Sequence, residues 1–230
     1  MSDEGMQQLA TELNVPVTAF IHHGFEQPYS IRYFTVTTEI PACGHATLAA
    51  AGIMMKINGS DAVSFLTASN ILLYATSEDG VIMMRYPKYE LRSVELDEGL
   101  KLALGISNYI DAGICSELEA LFIETSPADL RTIQPDFSKL VQSNDEIKEV
   151  VITSVSDDVQ YDYLLRSFCP WIGIDEDPVT GSVHCVLSGY WKERLNKERL
   201  KAYQASELGG EILVQAMDDA TGIGGRMVCK

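Results

Sequence analysis

The chain has 230 residues, of which 46% are hydrophobic and 22% charged, and its 33 acidic residues outnumber 17 basic ones for a net charge of −16. That length suits one large domain or two small ones with a sizeable core. So acidic a chain repels nucleic acid and anionic lipid, which excludes both as partners, but a local positive site still leaves room for a small anionic substrate. Cys43, Cys115, Cys169, Cys185 and Cys229 are scattered singly with no CxxC pair, so reduced thiols in a cytoplasmic protein are expected rather than a disulfide framework or a zinc knuckle. The first residues, "MSDEGMQQLATEL", are acidic and amphipathic, unlike a signal peptide. No apolar run approaches the ~20 residues that span a bilayer.

Residues 3–13 predict a helix with Met6, Leu9 and Leu13 on one face. Residues 17–23 and 29–36 predict strands. From Gly44 to Ile57 the chain is apolar and nearly uncharged, which predicts a helix buried all round, ended by Asn58-Gly59. Strands follow at 62–68, 71–77 and 81–87, the last two joined by a turn at Glu78-Asp79-Gly80. Residues 97–105 predict a helix with an acidic first turn and a terminal glycine. One or two strands are expected in 106–126, loop and short helix in 127–142, and strands at 148–156 and 161–170. A second buried helix is expected from about Ser182 to Leu195, with Lys192, Arg194 and Lys197 near its C-terminus. The tail predicts strands in 200–206, 210–217 and 224–230. Strands, one buried helix and more strands thus occur twice. This predicts an α+β chain of two pseudo-symmetric halves, 1–100 and 101–230, each with one buried helix among its strands.

Both helix starts carry chemistry. "EIPACGHATLAAAG" at 39–52 sets Glu39, Cys43, Gly44 and His45 at the mouth of the first helix, and "DEDPVTGSVHCVLSGYW" at 175–191 sets Asp177, Thr180, Gly181 and Ser182 at the mouth of the second. The first amides of a helix lack internal partners and favour an anion, and glycine admits a ligand close to the backbone. If the two mouths face one cleft, they would hold a small carboxylate while Glu39 or Asp177 moves a proton beside it. Each residue also has a structural reading. Asp177, Thr180 and Ser182 can cap a helix, and Cys43, Cys185, His45 and His184 can be packed or satisfied side chains. A thiol at a helix mouth is expected to have a lowered pKa.

"RYFTVTTEIPACGHATLAAA", "RSFCPWIGIDEDPVTGSVHCVLSGYW" and "YQASELGGEI" resemble the PhzF family of phenazine-biosynthesis-like proteins, over essentially the whole chain. The resemblance implies the diaminopimelate-epimerase-like fold, with each half a curved mixed sheet wrapped around a central buried helix and an active cleft between the two halves. It implies an isomerase that moves a proton on a small carboxylic acid without metal or cofactor; the family's best-studied reaction isomerises a dihydro-hydroxyanthranilate. It places the acid/base glutamate on Glu39 and the site aspartate and serine on Asp177 and Ser182. Cys43 resembles one thiol of the two-thiol epimerases, and Thr180 stands where the second would be, which argues against a two-thiol racemase.

Family members place a strand and a "GNPAAV"-like segment ahead of the first helix, and this chain starts at that helix. A homodimer that covers the resulting edge is therefore expected. The alternative function is a non-catalytic member that binds a small ligand or a protein. A Cys43/His45 hydrolase ranks below both, because two residues flanking a glycine are expected to make a poor thiolate–imidazole contact.

Overall fold

The structure is a computed structural model that describes every residue except 23, 25, 145 and 228–230. It divides into two compact units, Met1–Arg85 with Gly224–Lys230, and Tyr86–Ile223. The sequence-based division was placed at 100/101.

Unit one opens with α1 (Asp3–Leu13), capped by the Ser2 hydroxyl, which accepts from the Gly5 amide, and closed by Asn14 in the left-handed region. β1 (Thr18–His22) runs antiparallel to β2 (Tyr29–Phe34), and β3 (Glu39–Ile40) pairs antiparallel with the other edge of β2. α2 (Gly44–Asn58) then crosses over to β4 (Ala62–Thr67), which lies parallel to β2. Gly59 closes α2 at φ 62°, a conformation glycine takes without a Cβ penalty. β5 (Leu72–Glu78) and β6 (Val81–Pro87) complete the run. Asp79 and Gly80 both have positive φ, the two-residue turn that matches strand twist.

In unit two, β7 (Arg92–Ser93) leads to α3 (Glu98–Leu104), capped by Asp97 and ended by Gly105. β8 (Asp111–Cys115) and β9 (Ala120–Glu124) form a hairpin. The helices α4 (Pro127–Thr132) and α5 (Phe137–Ser143) pack on the sheet through Leu130 and Leu140, both fully buried. β10 (Glu149–Val155) is parallel to β9 and antiparallel to β11 (Tyr163–Cys169), against which β12 (Ile174–Asp177) pairs. α6 (His184–Leu195) crosses over to β13 (Arg199–Gln204), which lies parallel to β11. β14 (Gly210–Ala216) and β15 (Ala220–Gly225) end the chain's described strands.

The order of elements from β10 to β14 repeats that from β1 to β5: an antiparallel pair, a short third strand, a helix, then a parallel and an antiparallel strand. This is the mixed α+β repeat that the sequence predicts.

Three details differ from expectation. α2 is not buried all round: Ala46, Ala50, Ala51, Met54 and Met55 face the core, but Ile53 is 46% exposed and Ile57 65%. Uniform apolarity therefore does not mark its outer stripe. α6 begins at His184 rather than Ser182, because the turn over 181–184 is tighter, with the His184 amide donating to the Gly181 carbonyl and the Cys185 amide to that of Ser182. The last described strand is Ala220–Gly225, earlier than 224–230, and residues 228–230, with Cys229, lie outside the described residues.

Candidate active site

The mouth of α2 belongs to unit one. Its N-cap is Cys43, which makes no side-chain cap bond. The helix start is fixed instead by Thr47, whose hydroxyl donates to the Cys43 carbonyl at 2.7 Å and lies 2.5 Å from the Tyr33 hydroxyl on β2. The Cys43 sulfur lies 3.5 Å from His45 Nδ1 and 3.4 Å from Nε2. The expectation of a poor contact between Cys43 and His45 is therefore corrected: the two side chains meet at the helix start, beside Gly44. The expectation of a lowered thiol pKa is corrected as well. Burial pushes the Cys43 thiol up, and this outweighs the amides of His45 and Ala46, which favour the thiolate. His45 itself is exposed.

Glu39 precedes this mouth on β3, and its carboxylate is not free. Arg32 Nε and Nη2 on β2 donate to its two oxygens, each at 2.7 Å, in a fork-to-fork pair. Arg32 holds the Glu39 carboxyl below the usual glutamate range, mainly through these hydrogen bonds. The third guanidinium nitrogen, Nη1, donates to Asp3 on α1 at 2.6 Å.

The mouth of α6 belongs to unit two. Asp177 Oδ2 accepts from the Thr180 hydroxyl at 2.5 Å. Gln204 on β13, fully buried, clamps the loop between them: its Oε1 accepts from the Thr180 amide at 2.7 Å, and its Nε2 donates to the Asp177 carbonyl at 2.6 Å and to Thr180 Oγ1 at 3.3 Å. Ser206 adds a bond to the Pro178 carbonyl at 2.8 Å. Gly181 faces open space, with nothing within 4 Å of where a Cβ would stand, and Ser182 beside it is exposed. Ser182 is not the helix N-cap. That place falls to Val183, and no side chain caps the helix. Each unit therefore offers an uncapped helix start, the arrangement that receives an anion.

Behind Asp177 lies a buried polar cluster. Ser167, which faces Asp177 across the β11–β12 pair, lies with its hydroxyl 2.5 Å from Glu149 Oε1 and 3.6 Å from the Cys169 sulfur. Burial raises the Glu149 carboxyl, and the nearby charge of Asp177 adds to this. Burial likewise pushes the Cys169 thiol up to about 12. Under the helix start, His184 Nδ1 lies 2.6 Å from the Tyr163 hydroxyl and Nε2 has no partner among the described residues. Burial drives this imidazole down to about 3, so it is neutral. Arg32, Gln204, Ser167 and Glu149 were not singled out from sequence. The signals were present in the quoted motifs: "RYF" and "RSF" each open with an arginine, and "YQAS" contains the glutamine. Among the described residues there is no group of three or more His, Cys, Asp or Glu side chains that could hold a metal. No helix there is long and apolar enough to cross a membrane.

The repeated α+β unit with a helix crossing between parallel strands is the fold of the epimerase-like proteins. A Pseudomonas aeruginosa protein described as a predicted epimerase shares it at a TM-score of 0.69 and 20% identity, over 100% of this chain and 88% of that one. The family model for phenazine biosynthesis-like protein matches residues 1–229, and the chain belongs to that family. An uncharacterized isomerase of Halalkalibacterium halodurans is 36% identical, covering 98% of this chain and 84% of the relative. The phenazine biosynthesis-like domain-containing protein of Homo sapiens is 33% identical, covering 94% and 83%. A PhzF-family structure from Enterococcus faecalis superposes with a TM-score of 0.86 at 31% identity, over 98% of this chain and 85% of that one.

Proposed function

We propose that this protein is a cofactor-independent isomerase that moves a proton on a small carboxylic acid. The family membership and the relatives named as isomerases support the reaction class. The observation that carries the finer reading is the mouth of α6. There a carboxylate, Asp177, is held by Thr180 and Gln204 beside the unobstructed backbone of Gly181. The substrate carboxylate sits against the start of α6, with Gly181 and Ser182 supplying backbone and hydroxyl donors; the start of α2, at Gly44 and His45, offers donors of the same kind within unit one.

The proton is carried by a side chain able to take and release it. Asp177 has one oxygen engaged by Thr180, which fixes its direction. Glu39, in contrast, has both oxygens donated to by a guanidinium. Stabilised as the anion in this way, it is a weaker base, and its part in this scheme is to fix β3 and the approach to Cys43 and His45. Cys43 and His45, in contact and with the thiol held protonated by burial, form a second proton-carrying pair in unit one.

The test is exchange of solvent deuterium into a panel of small carboxylic acids bearing a hydrogen beside the carboxylate. The protein is expected to label at least one of them, and Asp177→Asn to slow labelling about 10²-fold. Binding of the same acids without labelling would replace the isomerase with a ligand-binding member of the family.

A further inference from the structure

The two repeats align through their arginine clasps, Arg32 with Glu39 on β3 and Arg166 on β11 with Glu176 on β12. The residue after each arginine faces the residue after each glutamate across the strand pair: Tyr33 faces Ile40 in unit one, and Ser167 faces Asp177 in unit two. On the other side, Tyr33 pairs with Ala19 and Ser167 with Val151. Two residues before these partners stand Val17 in unit one and Glu149 in unit two. Unit one thus fills this place with Val17, Tyr33 and Ile40, and the Tyr33 hydroxyl turns to Thr47 of α2. Unit two fills it with Glu149, Ser167 and Asp177. The same fold forms without a carboxyl here, so the sheet does not require one. The polar set stands only in the unit that presents Asp177.

Ser167 is fully buried, and its hydroxyl donates to Glu149 Oε1 at 2.5 Å. The groups that bear on Glu149 are this hydroxyl and the Cys169 thiol from β11, and the Asp177 carboxylate from β12. From β9 it faces Ala120, and His184 at the start of α6 is turned to the Tyr163 hydroxyl. Among the described residues no cation pairs with Glu149. Two carboxyl groups that feel one another without a cation between them do not ionise independently. Burial keeps the proton on Glu149. The charge of the pair is left on Asp177, to which the Thr180 hydroxyl donates.

We propose that Glu149 is a positioning residue for Asp177: it sets a second carboxyl behind the proposed acid/base, and the charge on that second carboxyl governs how readily Asp177 takes a proton. This rests on the reading of Asp177 as the acid/base. While Glu149 is neutral, Asp177 holds its charge without a like charge behind it. Once Glu149 ionises, its charge opposes that of Asp177 and favours the proton-bound form, which makes Asp177 the stronger base for abstraction.

Two measurements test this, and the first needs no activity. The ¹³C resonance of the Glu149 side-chain carboxyl, assigned by its loss in Glu149→Gln, is followed through a pH titration. Its midpoint is expected to move to lower pH in Asp177→Asn, where the like charge is gone, and to higher pH in Ser167→Ala, where the donor to the carboxylate is gone. A midpoint unchanged by Asp177→Asn would overturn the proposal, whatever the activity. The second is the pH profile of solvent-deuterium labelling. The parent is expected to show a further rise as Glu149 ionises, and Glu149→Gln to lose that rise while keeping the plateau below it. A purely structural role would scale the whole profile and leave its shape, and an unchanged shape in Glu149→Gln would overturn the proposal. If the parent labels none of the acids while the Glu149 midpoint still moves in Asp177→Asn, the coupled pair stands and the isomerase reading is what fails.

Discussion

Glu39 and Glu176 occupy the same station in the two repeats: each lies on the short strand five residues before the helix-mouth glycine and receives a fork of two hydrogen bonds from an arginine on the neighbouring strand. Each arginine also lies over a phenylalanine two residues on, Arg32 at 5.2 Å from Phe34 and Arg166 at 4.8 Å from Phe168. A contact made in both repeats is first of all a clasp that fixes the short strand to its neighbour.

Glu39→Gln therefore separates holding from chemistry. It keeps the shape, loses the charge-assisted pair and is expected to cost about 1 kcal/mol or less, since the pair is partly exposed. Labelling of a substrate acid by solvent deuterium is expected to fall less than tenfold in this variant, against about 10²-fold for Asp177→Asn. The two rates measured side by side check this. A larger loss in Glu39→Gln would return the acid/base role to Glu39.

Gln204→Ala leaves the Thr180 amide and the Asp177 carbonyl without their partner in a buried place. The expected loss is about 2 kcal/mol or more, because an unsatisfied buried group costs ~1–3 kcal/mol. Urea midpoints measure it. Amide exchange at Thr180 should accelerate in the same variant while exchange in β9 and β10 stays slow.

His184 makes the fold sensitive to acid. Its folded pKa, about 3, lies below the ordinary value of 6.5, so between these the unfolded chain binds the extra proton. Stability is full above pH 6.5 and falls as pH drops towards 3. The slope contributed by this one group is about 1.4 kcal/mol per pH unit within the window. His184→Gln, which does not titrate, is expected to flatten the pH dependence of the denaturation midpoint by that single-proton slope.

Glu149 has the opposite sign. Its folded pKa is raised by burial, so its contribution to stability is full below the ordinary glutamate value and is lost as pH rises through the folded pKa. Glu149→Gln mimics the protonated form and can still accept from Ser167. Relative to the parent, it is expected to be stabilising at pH 8 and neutral at pH 4. Thermal melts at the two values measure this difference.

The elements and both helix mouths were legible because they are local. Ser2, Asp97 and Gly59 cap their helices through neighbours a few positions away, and Asp79-Gly80 turns between strands that pair directly. What the sequence did not show depends on distant partners. Gln204 meets Thr180 across 24 residues, and Arg32 meets Asp3 across 29. Periodicity carries no signal for either. The exposed stripe of α2 failed for another reason: Ile53 and Ile57 have the same apolarity as the buried Met54 and Met55, so composition cannot say which face is covered. The Cys43–His45 contact failed because sequence spacing gives a separation along the chain, whereas the helix start sets the direction of each side chain.

The division of the chain has a consequence for its birth on the ribosome. Gly224 belongs with the first 85 residues, packed so closely to the Ile82 carbonyl that a Cβ there would fall 2.0 Å from its oxygen. Unit one thus stays unfinished while about 140 further residues are made, a wait of roughly 7 to 28 s at bacterial-to-eukaryotic elongation speeds of ~5–20 residues per second. Unit two, from Tyr86 to Ile223, is contiguous and emerges whole before that wait is over. The half made first is therefore the half completed last, and β6 is the nascent edge that a chaperone would have to shield in the interval.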